Sequence, residues 1–148
     1  MEVATGKTIS EFHSYVRPQI NPCLSDFCTS LTGISQSQVD NAPLFPVVFR
    51  EFKQWLYEHD LLKRNDSGRF YPDRECPPWT FVTDGMADIC RFLALQCSHS
   101  GIHFPFDWAG RYCNVKKIFQ NAYRPKFKVK ILDMLEIMGL EFQGRLHR

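Results

Sequence analysis

The stretch "WTFVTDGMADI", Trp79 to Ile89, constrains the fold more than any other. Aromatic and β-branched residues run from Trp79 to Thr83, as in a buried strand, and stop at Asp84-Gly85. Met86, Ile89, Cys90, Leu93 and Cys97 then recur at helical spacing. A strand passing straight into a helix is half of a strand–helix–strand unit, so a helix layer must lie against a sheet. In such folds the site collects at the carboxyl ends of strands, and Asp84 stands at one. The same carboxylate could instead cap the helix that begins near residue 86, by accepting from its free N–H groups.

The remaining segments extend this pattern. "TISEFHSYVR", residues 8–17, alternates like a half-exposed strand with Ile9, Phe12 and Val16 inward, between a Thr5-Gly6 turn and Pro18. A short helix near 23–30 ends at Gly33. Phe45, Val48, Phe49, Phe52, Trp55 and Leu56 form one apolar face of a helix from about 44 to 58, with Pro43 and Pro46 in its first turn. Residues 63–78 read as a long exposed connection, and 100–110 as loop. A short strand at 112–115 leads into a helix at 116–122, which Arg124-Pro125 breaks. A last helix carries Ile131, Leu132, Leu135 and Met138, with Gly139 just past its end, and 140–142 is strand or loop. Strands alternating with helices predict an α/β layered fold.

Composition narrows the setting. A chain of 148 residues is expected to form one domain. No apolar run approaches the roughly 18 residues of a membrane helix, which argues against a membrane partner. Six cysteines without a CxxC pair, and no signal peptide, predict reduced thiols and an intracellular protein, cytoplasmic or nuclear. Residues 1–100 carry 9 Lys+Arg against 12 Asp+Glu, whereas 101–148 carry 9 against 4. Lys116, Lys117, Arg124, Lys126, Lys128 and Lys130 could attract phosphates, or could be the solvated faces of helices and a loop.

Three elements in order carry a resemblance: "FHSYVRPQINPCLSDFCTSLTGISQSQVD", "FVTDG" and "MGLEFQGRLHR". Together they resemble the DEDDh 3′→5′ exonuclease superfamily. They are most similar to the exoribonuclease branch of the enhanced-RNA-interference nucleases and the histone-mRNA 3′ exonuclease. The resemblance covers nearly the whole chain and is poorest over 63–78. It implies an α/β ribonuclease-H-like fold, a mixed sheet flanked by helices, and single-stranded RNA or an RNA 3′ end as partner. It also implies two Mg²⁺ or Mn²⁺ ions, roughly 4 Å apart, that activate a water and stabilise the leaving oxygen. By position, Asp84 matches a metal-binding aspartate, and His147 matches the general base, an imidazole that accepts a proton near neutral pH. Phe27 and Leu31 match the part that packs on the 3′-terminal nucleoside.

Two of the family's elements have no counterpart here: an Asp-x-Glu on the first strand and an aspartate about five residues after the histidine. Asp73-Arg74-Glu75 has the first spacing but lies in the variable connection. A hard dication takes about six oxygen ligands, so the resemblance implies a truncated, catalytically impaired member lacking the first strand and last helix. A two-metal site is not expected to assemble, and unfolding should be weakly cooperative. The alternative is a degenerate module that grips RNA or a protein without cleaving. A purely structural role remains open if the Asp84 loop lies in the core. Cys97-x-His99-x₃-His103 lacks a fourth ligand at zinc spacing, which favours a buried Cys97 and loop histidines. Asp88, one turn beyond Asp84, is expected to face solvent. Phe27 and Leu31 could equally be core residues.

Overall fold

The computed structural model describes residues 1–142. The chain divides between Leu62 and Lys63 into two compact units.

The first unit is helical. Helix α1 (Asp26–Thr32) begins at Ser25, whose side chain accepts from Cys28 N–H, and ends at Gly33 in the left-handed conformation, φ 72°. Helix α2 (Gln36–Asp40) starts at Ser35, whose N–H donates to Gln38 Oε1 at 2.8 Å. Helix α3 (Phe45–Glu58) admits Pro46 at its start, where a missing N–H costs nothing. Pro43 lies just outside that helix, and its carbonyl accepts from Arg17 N–H at 2.9 Å.

The stripe on α3 does what its spacing requires. Val48, Phe49 and Leu56 are buried, with Val39, Ala42 and Leu62, and each large side chain contributes roughly 1.5–3 kcal/mol of burial. Phe45 stacks on Phe49 and Phe52 on Trp55, at ring separations of 5.2 and 5.9 Å.

The strand expected over 8–17 does not form. Alternation assigns faces to a strand but supplies no partner, and among the described residues no strand pairs with this segment. It runs instead along α3. Phe12 packs on Phe52 and Trp55 at 5.3 and 6.0 Å, and Trp55 Nε1 donates to Ser10 Oγ at 3.1 Å. Ile9 is exposed rather than inward.

The second unit mixes helices with two small sheets. Strands β1 (Lys63–Arg64) and β2 (Phe70–Tyr71) form an antiparallel hairpin, pairing Lys63 with Tyr71 and Arg64 with Phe70. The Asn65 carboxamide oxygen accepts from Arg69 N–H at 2.8 Å, and Gly68 takes φ +80° at the tip. The segment read as bare connection therefore begins with a two-rung ladder. Strand β3 (Phe81–Thr83) pairs in parallel with β4 (Tyr112–Asn114), Thr83 opposite Asn114. Parallel neighbours need a crossover, and helix supplies it here. A π-helical turn (Asp88–Leu93) runs into α4 (Ala94–His99). The strand–helix–strand unit read from "WTFVTDG" is thus present.

Helix α5 (Val115–Tyr123) leaves β4 directly, with the Asn114 side chain accepting from Lys117 N–H at 3.2 Å. Helix α6 (Ile131–Ile137) begins where Asp133 Oδ2 accepts from Lys130 N–H at 2.7 Å, and Gly139 follows its end at φ 67°. Phe119, Val129 and Met134 form a buried cluster with Val115 and Ile131 packed on it. The 100–110 loop is not all surface. Trp108 and Ala109 are buried, and Trp108 lies 6.3 Å from the rings of both Trp79 and Phe81.

Candidate functional site

β3 and β4 end side by side, so whatever follows each strand opens on the same edge of the sheet. After β3 comes Asp84, and after β4 comes the first turn of α5. Lys116 on that turn puts its Nζ 3.1 Å from Asp84 Oδ2, with the two side chains 34% and 44% exposed. Asp84 is therefore neither in the core nor a helix cap: the π-helical turn starts four residues later, and the carboxylate faces an ammonium. Thr83 Oγ1 donates to the Gly85 carbonyl, which tightens the turn carrying Asp84. Gly85 does not adopt a positive φ, and a Cβ there would meet open space. The glycine leaves the backbone beside Asp84 uncovered.

Phe27 and Leu31 lie in the first unit, one helical turn apart on α1, 70% and 42% exposed. Helix α1 buries no residue, so the reading of this pair as core side chains fails. An i, i+4 apolar pair open to solvent offers an aromatic face with an aliphatic neighbour. His147 lies outside the described residues.

The π-helical turn redistributes the stripe that follows Asp84. Ile89 and Cys97 are buried as predicted, while Met86 and Cys90 are exposed. One i→i+5 turn adds a residue to the helical repeat and rotates the positions before it away from those after it. Cys90 Sγ sits 3.5 Å from the Tyr112 hydroxyl. That hydrogen bond, with desolvation and the nearby thiol charge adding to it, pushes the Tyr112 phenol above its ordinary value.

Lys116 escaped the sequence reading as the partner of Asp84. The signal was present: two adjacent parallel strands must bring the residue after one beside the helix start after the other. His99 and His103 gather no metal cluster with Cys97, and among the described residues no three His, Cys, Asp or Glu side chains could hold an ion together.

Against known proteins, the sequence family described as Exonuclease, typified by RNase T, matches residues 1–148. This chain belongs to the RNase T exonuclease family. The human protein named 3′-5′ exoribonuclease 1 is 39% identical over 137 residues, covering 92% of this chain and 36% of its own length. The 3′-5′ exonuclease eri1 of Schizosaccharomyces pombe is 38% identical over 149 residues, covering 95% and 50%. The chain thus spans a third to a half of these relatives.

Among solved structures, the nuclease domain of 3′hExo, described as a DEDDh family member bound to rAMP, superposes with a TM-score of 0.82. It is 36% identical, covering 97% of this chain and 66% of that one. A structure described as 3′-end specific recognition of histone mRNA stem-loop by 3′-exonuclease gives 0.78, at 36% identity, with 95% and 45% coverage. The motif resemblance holds: the chain matches the exonuclease family over its length and superposes on nuclease domains of the DEDDh 3′-5′ exonuclease group, with a ribonuclease-H-like fold. Among the described residues of this exonuclease-family chain, no helix is long and apolar enough to cross a membrane.

Proposed function

We propose that this chain is part of one exonuclease domain, residues 1–148, that recognises the 3′ end of single-stranded RNA and hydrolyses it poorly. The observation that carries the reading is the open Phe27–Leu31 pair on α1. A chain end with no fixed sequence is best gripped by stacking, because every base has a π-face. Asp84 and His147 keep their family assignments as metal-binding carboxylate and general base, His147 on its place in "GRLH" alone. A relative is named a 3′-5′ exoribonuclease, and one of the matching structures is of a 3′-exonuclease recognising the 3′ end of a histone mRNA stem-loop, which supports the choice of ligand. Six free thiols support an intracellular setting.

A Mg²⁺ or Mn²⁺ pair does not fit the described residues. Asp84 contributes one carboxylate, an ammonium stands 3.1 Å from it, and no second acid joins them in a ligand group among those residues. Hard dications need several oxygens, so no hydrolytic step is routed through metal here. What the residues present do is bind and orient: Phe27 and Leu31 hold a terminal nucleoside, and the Asp84 carboxylate fixes Lys116.

The test uses 3′-labelled single-stranded RNA with Mn²⁺. Nucleotide release should not exceed that of an Asp84→Ala control. Binding should prefer a free 3′-hydroxyl over a 3′-phosphate, and Phe27→Ala should weaken it at least fivefold without changing the melting temperature. Robust release abolished by Asp84→Ala refutes the impaired reading, and indifference to both the 3′ terminus and Phe27 refutes end recognition.

A further inference from the structure

Residues 124–130, "RPKFKVK", hold four cations and no carboxylate. On charge alone such a run can be an ordinary solvated surface. The structure adds three facts. First, the segment is tied at both ends: Arg124 N–H donates to the Gln120 carbonyl at 3.0 Å to close α5, and Lys130 N–H donates to Asp133 to open α6. Second, Val129 is 2% exposed and packs in the cluster with Phe119 and Met134, which fastens the strap's C-terminal end through a side chain as well as through the Lys130 N–H. Third, its charges are unspent. Among the described residues, the side chains of Arg124, Lys126, Lys128 and Lys130 make no ion pair, and Phe127 stands between two of the lysines 58% exposed.

We infer that this pinned strap is a second binding surface, one that tracks the phosphate backbone of single-stranded RNA, with Phe127 stacking on a base. Unpaired cations flanking an exposed aromatic ring match the alternation of charge and π-face along a single strand. Anchoring limits the ordering entropy that binding would otherwise cost. A membrane surface would also attract the lysines. Within residues 124–130 Phe127 is the one exposed large apolar side chain and it alternates with lysines, a pattern that suits a base better than a bilayer. The surface rests on the reading of RNA as ligand, but differs from the end-recognising pair in residues and chemistry: it reads backbone charge, not a terminus.

The test is the salt dependence of binding to a 3′-hydroxyl single-stranded RNA by the full chain. Each phosphate contact on a single strand contributes about 0.7 to the slope of log affinity against log salt. Lys126→Gln with Lys128→Gln should lower that slope by about 1.4, and the Lys→Arg pair should restore it. Phe127→Ala should weaken binding at least fivefold with the slope unchanged. Lys7→Gln with Arg50→Gln removes the same charge elsewhere and should leave the slope alone.

A slope unmoved by the strap pair, or lowered as much by the Lys7/Arg50 pair, overturns the proposal. So does a strap effect confined to phosphatidylserine vesicles. Loss through Phe27→Ala alone sinks the strap and leaves end recognition standing. Loss through the strap with no preference for the 3′-hydroxyl does the reverse. Absence of any RNA binding at low salt overturns both.

Discussion

The contact between Lys116 and Asp84 sets up a competition that can be measured. The perturbation is Lys116→Met, which keeps the aliphatic stem and removes the charge. At 3.1 Å the pair attracts by about 1.3 kcal/mol in a water-like dielectric, and both side chains are partly exposed, so the screened end of the range applies. Holding two side chains still reduces this further, leaving about 0.2–1 kcal/mol. For 148 residues the unfolding entropy is about 0.3 kcal/mol per degree, so the melting temperature should fall by no more than about 3 °C.

The effect on a dication runs the other way. A divalent ion at Asp84 some 4 Å from the ammonium would be repelled by about 2 kcal/mol at the same dielectric. Removing the charge should therefore tighten Mn²⁺ binding by up to roughly thirtyfold, and by about threefold if Lys116 can swing aside. Paramagnetic broadening of resonances around Asp84 reads this out, with Asp84→Asn as the baseline. Unchanged broadening in Lys116→Met, or a drop in melting temperature above about 6 °C, would show that the contact is not the screened, cation-competing pair described above.

Two other predictions bear on the fold around the site. A Cβ at Gly110 would lie 2.6 Å from the Phe106 carbonyl oxygen, so Gly110→Ala should cost about 1–3 kcal/mol in chemical denaturation. Gly85→Ala, facing open space, should change stability by less than about 0.5 kcal/mol. In ultraviolet titration one tyrosine should ionise above the ordinary value near 10, and Cys90→Ala should return it there. The sign follows from the raised value: the bond to the protonated phenol supports the fold fully below pH about 10, and that support is lost as pH rises through the folded value.

What the sequence made legible follows from where each signal resides. Helix α3 was readable almost to the residue, because an apolar stripe, a proline near the start and a loop beyond are all local. The β3 strand and the edge position of Asp84 were readable for the same reason. Segment 8–17 was not, since alternation describes a face and says nothing of a neighbour to bond with. A 3.6-residue period cannot register a π-helical turn, so the helical stripe read from Met86 to Cys97 includes Cys90, whose thiol is exposed and meets Tyr112. Trp108 reads as loop from its neighbours in sequence, yet it packs with Trp79 and Phe81, a contact spanning residues far apart in the chain. The Lys116 contact is of that same non-local kind. Phe27 and Leu31 were found through motif order, and their exposure could not have been read from residue type, because the same pair at the same spacing serves equally well in a core.

Asn114 occupies two roles at once: it is the last rung opposite Thr83 and the residue whose side chain starts α5. Ladder and helix are therefore geared together through a single position. Inserting or deleting one residue in β4 ahead of Asn114 would leave the local Asn114–Lys117 cap intact, but would shift the capped helix start along the ladder, turn alternate side chains to the other face and carry Lys116 out of reach of Asp84. Variation at this edge is accordingly confined to exchanging side chains on an unshifted frame, and the cation facing Asp84 can be swapped but not slid.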